Sequence, residues 1–285
     1  MVGALRQKGM YENTLIIFHS DNGGELNNAG SNLPMRGGKF TYWEGGTRVN
    51  SFASGGVIPT AARGTHYDGL LALVDWYPTV CALAGIATIK SNLTEGVPPL
   101  DGFDIFAAIT TGGVSPRTEH VYNIDCRAPL SAKTCAESAS PPMGAMRDAA
   151  GLKLIVGSPG PTDKSSVEPI PYWVVDAEEM DQLQWAGTCN IHNDGSCANT
   201  NTTLTDHGQN CTLAAPCLFD LITDPTESTD VAAQRPADTA RLLARFKELA
   251  ATQFRSTNTT QDEAALYAKV KETGFFLPFA PDPVP

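Results

Sequence analysis

One segment of the sequence delivers two neighbouring oxygen-bearing side chains that suit a divalent cation. The apolar residues 15–18 read as a strand, and Asp21, Asn22 and two glycines follow shortly after it. In open α/β sheets, ligands bind at the carboxyl ends of the strands. A carboxylate beside an amide carbonyl suits a hard cation, which takes oxygen ligands. An Asn-Gly turn with an aspartate cap fits these residues equally well on their own, so a second feature is needed.

The second feature is a glycine-rich loop over residues 33–48 that concentrates charge. Its charged side chains are Arg36, Lys39, Glu44 and Arg48. An arginine fork can pair with a tetrahedral oxyanion or with the loop's own glutamate, and a lysine can direct one charge at a sulfate or phosphate oxygen. The alternative is a solvated loop with weak surface ion pairs. Two adjacent aromatic residues, Tyr42 and Trp43, argue against full solvation.

Together the two segments resemble the sulfatase family, most closely its arylsulfatase B type. The motifs that carry the resemblance are Ser20-Asp-Asn-Gly-Gly, Pro34-x-Arg-Gly-Gly-Lys and Trp43-Glu-Gly-Gly-x-Arg. Further motifs of that family follow in the same order: Asp75-Trp-Tyr-Pro-Thr-Val, Pro99-Leu-Asp-Gly-Phe-Asp, Asn123-Ile-Asp, Leu152-Lys-Leu and Leu218-Phe-Asp-Leu. The resemblance covers roughly residues 1–235 and weakens after residue 125.

The resemblance implies an α/β fold with an alkaline-phosphatase-like sulfatase sheet, followed by a smaller α+β subdomain. The composition changes near residues 112–116. We therefore predict that residues 1–115 form the C-terminal portion of the catalytic domain. Residues 116–285 are predicted to form the α+β subdomain with disulfide-rich loops.

The resemblance also assigns roles to three residues. Asp21 and Asn22 match the family's calcium-ligand pair, and Lys39 matches the catalytic lysine that contacts the substrate sulfate. In the family reaction a formylglycine hydrate attacks sulfur, while calcium and cationic side chains stabilise the charge on the sulfate oxygens. The sequence contains neither the family's Cys/Ser-x-Pro-x-Arg motif, whose Cys or Ser is the formylglycine precursor, nor the family's adjacent Asp-Asp pair.

Three functions follow, in order of preference. The first is a sulfuric ester hydrolase that acts with calcium on an aryl sulfate or a sulfated glycan, with the 285-residue chain expected to be truncated and inactive by itself. The second is a non-catalytic secreted glycoprotein that binds sulfated ligands. The third is a phosphate or phosphonate ester hydrolase on the same scaffold.

Composition limits the partners and the compartment. A net charge of −11 disfavours nucleic acid and anionic membranes as partners, and no apolar run is long enough to span a bilayer. The first residues do not read as a signal peptide. Six cysteines in polar loops, between residues 126 and 217, nevertheless predict disulfides and an oxidising compartment, with zinc binding the weaker alternative. Sequons at Asn92, Asn201, Asn210 and Asn258 agree with the secretory pathway.

Hydrophobic periodicity predicts the elements that position these residues. Helices are predicted over residues 3–9, 70–84, 105–110 and 238–253, and strands over residues 13–20, 49–57, 119–124, 152–156 and 217–222. The strand over residues 13–20 is expected to be buried on both faces, and the helix over residues 70–84 to pack its apolar face on the sheet. Cys81 is expected to be a buried thiol, and the histidines to be structural or exposed.

Overall fold

The computed structural model describes residues 1–25, 30–87, 100–125, 141–157, 159 and 211–252. The helices are α1 (Val2–Gln7), α2 (Glu44–Thr47), α3 (Trp76–Leu83), α4 (Phe106–Thr111) and α5 (Pro236–Thr252). The strands are β1 (Ile16–His19), β2 (Ser51–Ser54), β3 (Glu119–Asp125), β4 (Met143–Asp148), β5 (Leu152–Val156) and β6 (Cys217–Asp220). Apart from α2, which lies in a segment predicted to be a loop, and β4, these elements confirm the predicted helices and strands, with ends that differ by a few residues.

Strands β1 and β2 form an antiparallel pair in which Ile16 lies opposite Ser54. The stacked rings of Phe18 and Phe52 are 5.2 Å apart and are 47% and 55% exposed. The prediction that the first strand is buried on both faces is therefore wrong, because Phe18 packs against another half-exposed ring. The strand still ends immediately before the Ser20-Asp-Asn-Gly-Gly segment, as expected.

A second sheet has the strand order β3-β4-β5-β6 and is antiparallel throughout. Strand β4 was not predicted from the sequence, because Gly144 and Arg147 interrupt its apolar pattern. Helix α5 covers one face of this sheet and buries Leu242 and Phe246 against Leu154 and other apolar side chains. The amphipathic pattern of α5 is confirmed.

The opposite face of the second sheet packs on the loop that follows β1. Trp43 is fully buried there and meets Phe219 at an edge-to-face angle, with ring centroids 5.5 Å apart. Ala145 and Ile155 belong to the same core. Successive side chains of a strand point to opposite faces, so Lys153 and Ile155 of β5 share this face. The loop that follows β1 is thereby fixed to the second sheet through Trp43.

Helix α3 is shorter than predicted and presents its apolar side to solvent. It follows a 3₁₀ turn over Leu73–Asp75, and Gly85 adopts the left-handed conformation just beyond its end. Pro78 lies in the first turn, where proline causes no kink. The prediction that the apolar face packs on the sheet is wrong, since the half-exposed side chains include Val74, Tyr77, Val80 and Leu83. Burial falls instead on Pro78 and Thr79, because the Thr79 hydroxyl accepts the Ile105 N–H at 3.0 Å.

Several cysteine and glycosylation predictions can be compared with the described residues. Cys211 and Cys217 form a disulfide, which confirms oxidation over zinc binding for this pair. Cys81 is a free thiol and is only half-buried. Outside the described residues lie Cys126, Cys135, Cys189, Cys197 and the sequons at Asn92, Asn201, Asn210 and Asn258. Among the described helices, none has the length and apolar character required to cross a bilayer. The division at residue 115 stays a prediction.

Candidate functional site

The Asp21–Gly24 segment packs directly against the start of α2. The Gly23 N–H donates to the Gly46 carbonyl at 2.9 Å. A Cβ atom on Gly23 would lie 1.7 Å from the Gly45 oxygen, so only glycine allows this approach. The glycine pairs of two sequence motifs therefore serve as contact surfaces between the two segments.

The Asn32 side chain joins the Asp21–Gly24 segment to residues 36–44, here called the Lys39 loop. The Asn32 side chain accepts the Gly24 N–H at 2.6 Å and donates to the carbonyls of Gly24 and Gly37, at 2.8 and 3.1 Å. The Lys39 N–H also donates to the Gly24 carbonyl, at 3.2 Å. The sequence prediction missed Asn32, because an asparagine among other asparagines and glycines carries no distinctive signal.

Asp21 and Asn22 carry side-chain oxygens that could act as ligands of a cation. Asp21 is exposed, and one of its carboxylate oxygens accepts the Asn22 N–H at 2.9 Å. The Asn22 amide nitrogen donates to the Gly23 carbonyl at 2.8 Å, which leaves the amide oxygen for another partner. These two oxygens suit calcium but would fill only part of a shell of about six to eight ligands. Within the described ranges, no cluster of three or more His, Cys, Asp or Glu residues could hold a metal.

Lys39 presents an accessible positive charge on the loop whose backbone contacts Gly24. Its ammonium lies 3.5 Å from a carboxylate oxygen of Glu25 and 5.0 Å from the centre of the Phe40 ring. The Lys39 side chain is 35% exposed. Phe40 has a φ of 73°, a backbone conformation that is costly for a residue other than glycine. The Thr41 N–H donates to the Gly38 carbonyl at 3.1 Å, so the chain reverses between these residues and Lys39 lies at the tip of the turn.

The two arginines of the loop do not share this position. The Arg36 guanidinium lies 3.9 Å from the centre of the Trp43 ring and donates to the Glu227 carbonyl at 3.0 Å. It is only 8% exposed, and Glu44 pairs with Lys153 instead of with Arg36. The interpretation that Arg36 pairs with an oxyanion stays a prediction. Arg36 anchors the loop, while Arg48 is exposed after the end of α2.

Glu44 belongs to a buried ionic cluster that the sequence prediction missed. Its carboxylate lies 3.0 Å from the Lys153 ammonium, which lies 2.8 Å from Glu227. The Tyr122 hydroxyl donates to Glu44 at 3.1 Å. All three charged side chains are at most 1% exposed. The available signal was a lysine inside the otherwise apolar strand β5, although a lysine there fits an edge position equally well.

The charges of this cluster shift one another's protonation. Burial would raise the pKa of Glu44, but Lys153, Arg147 and Tyr122 together lower it below the ordinary value. Burial raises the pKa of Glu227, and neighbouring Glu44 adds to this against the effect of Lys153. Burial alone would lower the pKa of Lys153, but Glu227, Tyr122 and Glu44 raise it. Lys153 is therefore a permanent cation shared by two carboxylates.

The histidines divide into structural and exposed residues, as predicted where they are described. His19 contacts the Ser20 carbonyl through Nδ1, and His66 is exposed. His120 packs edge-on against Tyr122, with ring centroids 5.0 Å apart. His192 and His207 lie outside the described residues.

His120 is expected to make stability depend on pH. Burial, together with Arg117 and Arg147, lowers the pKa of His120 to about 4, against the opposing effects of Asp75 and Glu44. The unfolded chain takes up a proton near the ordinary histidine pKa, whereas folded His120 stays neutral. The contribution of neutral His120 to the free energy of unfolding is therefore fully present above the ordinary pKa and is lost as pH falls towards 4. Between pH 7 and pH 5 the free energy of unfolding should fall by about 1–2 kcal/mol through His120.

Urea unfolding at the two pH values measures this loss, with His120→Gln as the comparison. The variant should lose less stability than the natural protein over the same interval, because glutamine does not titrate. An equal loss in both proteins would show that His120 is not responsible.

Comparisons with known proteins agree with the motifs. The sulfatase family model matches residues 1–86. Arylsulfatase J of Mus musculus is 32% identical over 252 residues, which are 86% of this chain and 36% of the mouse protein. Arylsulfatase A of Homo sapiens is 36% identical over 122 residues, covering 41% of this chain and 22% of the human protein. The chain thus spans about a third or less of the length of these two curated relatives.

Solved structures show the same fold at lower identity. The crystal structure of Ps i-CgsB has a TM-score of 0.55 and 20% identity, covering 96% of this chain and 45% of that chain. The PsFucS1 sulfatase from Pseudoalteromonas sp. has a TM-score of 0.50 and 24% identity, covering 89% of this chain and 41% of that chain. The family model places residues 1–86 in the sulfatase family, and the curated relatives extend the similarity along the chain. The solved structures show the same α/β fold, which is of the alkaline-phosphatase-like type.

Proposed function

We propose that this chain contributes Lys39, Asp21 and Asn22 to an active site that hydrolyses sulfate esters with a calcium ion. The observation that carries the proposal is the hydrogen bond between the Lys39 N–H and the Gly24 carbonyl. Lys39 and the Asp21–Asn22 pair stand in two separate sequence motifs. The hydrogen bond brings the backbone of these two motifs together. Their chemistry is that of an anion contact beside a cation site.

Lys39 is the residue that contacts the sulfate group. Its ammonium is half-exposed beside Glu25, so an entering sulfate oxygen competes for it with one carboxylate rather than with a buried ion pair. As a mobile point charge with three donors, the ammonium can follow the charge that develops on that oxygen.

Asp21 and Asn22 hold part of the calcium shell through one carboxylate oxygen and the amide oxygen. Bound calcium supplies electrostatic stabilisation of the sulfate oxygens. The hydrogen bond between Gly23 and Gly46 fixes the position of Asp21 and Asn22 relative to α2. Because the 285-residue sequence lacks the Cys/Ser-x-Pro-x-Arg motif, we propose that it has no sulfatase turnover by itself. Every turnover measurement therefore uses the protein as its native host expresses it, with any further residues that it carries, and not the 285-residue chain alone.

The proposed substrates are aryl sulfates or sulfated glycans. Curated relatives include arylsulfatases and an N-acetylgalactosamine-6-sulfatase of Canis lupus familiaris, which is 34% identical over 130 residues covering 44% of this chain and 23% of the canine protein. The Ps i-CgsB structure has also been solved in complex with k-i-k-neocarrahexaose. The disulfide between Cys211 and Cys217 supports a location in the secretory pathway.

Calcium binding tests the proposed metal site independently of turnover. Asp21→Ala should weaken calcium binding by at least about tenfold, because a first ligand contributes no less than the outer contacts that cost about 10–100-fold when removed. Equilibrium dialysis with radioactive calcium, on the protein expressed in its native host, measures the affinity. Asp68→Ala, at another exposed aspartate, is the matched control. Equal calcium affinity in the two variants would reject Asp21 as a ligand.

A further inference from the structure

We propose that the buried cluster of Glu44, Lys153 and Glu227 positions Lys39 against the Asp21–Gly24 segment. The inference rests on the proposed function for its catalytic meaning, since Lys39 is the residue to be placed. Glu44, Lys153 and Glu227 are here positioning residues, because none of them reaches the candidate sulfate site.

The cluster joins three distant parts of the chain. Lys153 donates to Glu44 across 109 residues, and the Glu44 N–H donates to the Glu227 carboxylate at 2.5 Å across 183 residues. The backbone carbonyl of Glu227 accepts a hydrogen bond from the Arg36 guanidinium. Both ends of the Lys39 loop, Arg36 and Glu44, are therefore tied to the C-terminal region, while Lys39 lies at the tip between them.

The anchored ends transmit their position to the candidate site through backbone hydrogen bonds. The Gly45 N–H donates to the Arg36 carbonyl at 2.7 Å, which closes the base of the loop. Gly46, the second residue after Glu44, accepts the Gly23 N–H, and Lys39 donates to Gly24. A displacement of Glu44 thus moves the Gly23–Gly46 contact and, through the closed base of the loop, the Lys39–Gly24 contact.

Charge explains why the cluster favours one geometry. Two carboxylates flank one ammonium, and Tyr122 and the Glu44 N–H satisfy further acceptor positions. A buried ion pair is weak evidence for stability, because well-packed apolar residues often replace it without loss. What apolar residues do not replace is the directional contact that sets where Glu44 lies. The role of the cluster is therefore to position the loop.

The test replaces the cluster's main ion pair by uncharged side chains of similar size. In Glu44→Gln/Lys153→Met, amide exchange at Gly23 and Lys39 should accelerate roughly tenfold or more relative to exchange elsewhere in the chain. The kcat for an aryl sulfate should fall by roughly 10²-fold, with a smaller change in KM, because misplacement by about 1 Å has a cost of this order. Glu44→Gln alone, which keeps the Lys153–Glu227 pair, should change both readouts in the same direction but less, and it serves if the double variant does not fold.

The control removes another buried ion pair of the same type. Arg117 and Asp75 are paired at 7% and 0% exposure. Their other side-chain hydrogen bonds go to the backbone of Ala72, Phe103, Asp101 and Glu119, and not to the Lys39 loop. Asp75→Asn/Arg117→Met should therefore leave exchange at Gly23 and Lys39 unchanged relative to the rest of the chain. Unchanged local exchange in both Glu44 variants would overturn the positioning proposal. Absence of sulfatase activity in the natural protein would instead reject the proposed function, while the exchange measurement would still decide whether the cluster positions the loop.

Discussion

Replacing Lys39 by alanine is expected to lower kcat/KM for an aryl sulfate by roughly 10²- to 10³-fold in the protein expressed in its native host. The expected loss is large because the ammonium contacts the group on which negative charge develops. Folding should change little, since Lys39 is 35% exposed and its ion pair with Glu25 lies near the surface. Initial rates over a range of substrate concentrations, together with thermal unfolding, separate the two effects.

Lys247→Ala is the matched control for this prediction, because Lys247 is exposed on α5. It should keep the natural rate and stability. If Lys39→Ala retained the natural kcat/KM, Lys39 would not contact the reacting sulfate. A loss of activity that merely followed a loss of folded protein would also count against the assigned role.

Replacing Lys153 by methionine is expected to lower the free energy of unfolding by about 3–5 kcal/mol near neutral pH. Glu44 and Glu227 would remain buried without their cation, and removal of one member of a buried ion pair has a cost of this size. The pKa of both carboxyls would then be raised in the folded protein. Stability from such groups is present at low pH and is lost as pH rises, so the deficit should be smaller at pH 5 than at pH 8.

Urea unfolding of Lys153→Met at the two pH values measures both effects. Lys247→Met makes the same substitution at an exposed position and should stay within about 0.5 kcal/mol of the natural protein. A deficit as small as that of the control, or one that grows as pH falls, would contradict the burial of two carboxylates around Lys153.

The sequence predicted local features well where one physical signal dominated. Helix α5 was located from its periodic apolar residues, and the predicted end of α3 lies within one residue of the observed end. Gly85 follows there in the left-handed conformation, which glycine readily takes. The exposure of Phe18 and of the α3 side chains could not be predicted, because an apolar pattern does not say which partner covers it. Strand β4 was missed because a glycine and an arginine interrupt its pattern.

For the candidate site, the sequence identified the chemically distinctive residues but not their supports. Asp21, Asn22 and Lys39 stand in recognisable motifs. Asn32 acts through backbone hydrogen bonds, which any asparagine can make and which leave no pattern in a sequence. The Lys153 partner of Glu44 lies 109 residues away, so only the folded chain shows that the charge of Glu44 is used internally.

Side-by-side hydrolysis of 4-methylumbelliferyl sulfate and 4-methylumbelliferyl phosphate by the protein from its native host tests the central claim most directly. We predict turnover of the sulfate ester, and we expect calcium chelation to abolish this turnover and added calcium to restore it. We also predict a clear preference over the phosphate ester, whose leaving group is the same. Turnover of the phosphate ester alone would favour a phosphate ester hydrolase on this scaffold. Binding of sulfated ligands without any turnover would contradict the account in favour of a non-catalytic role.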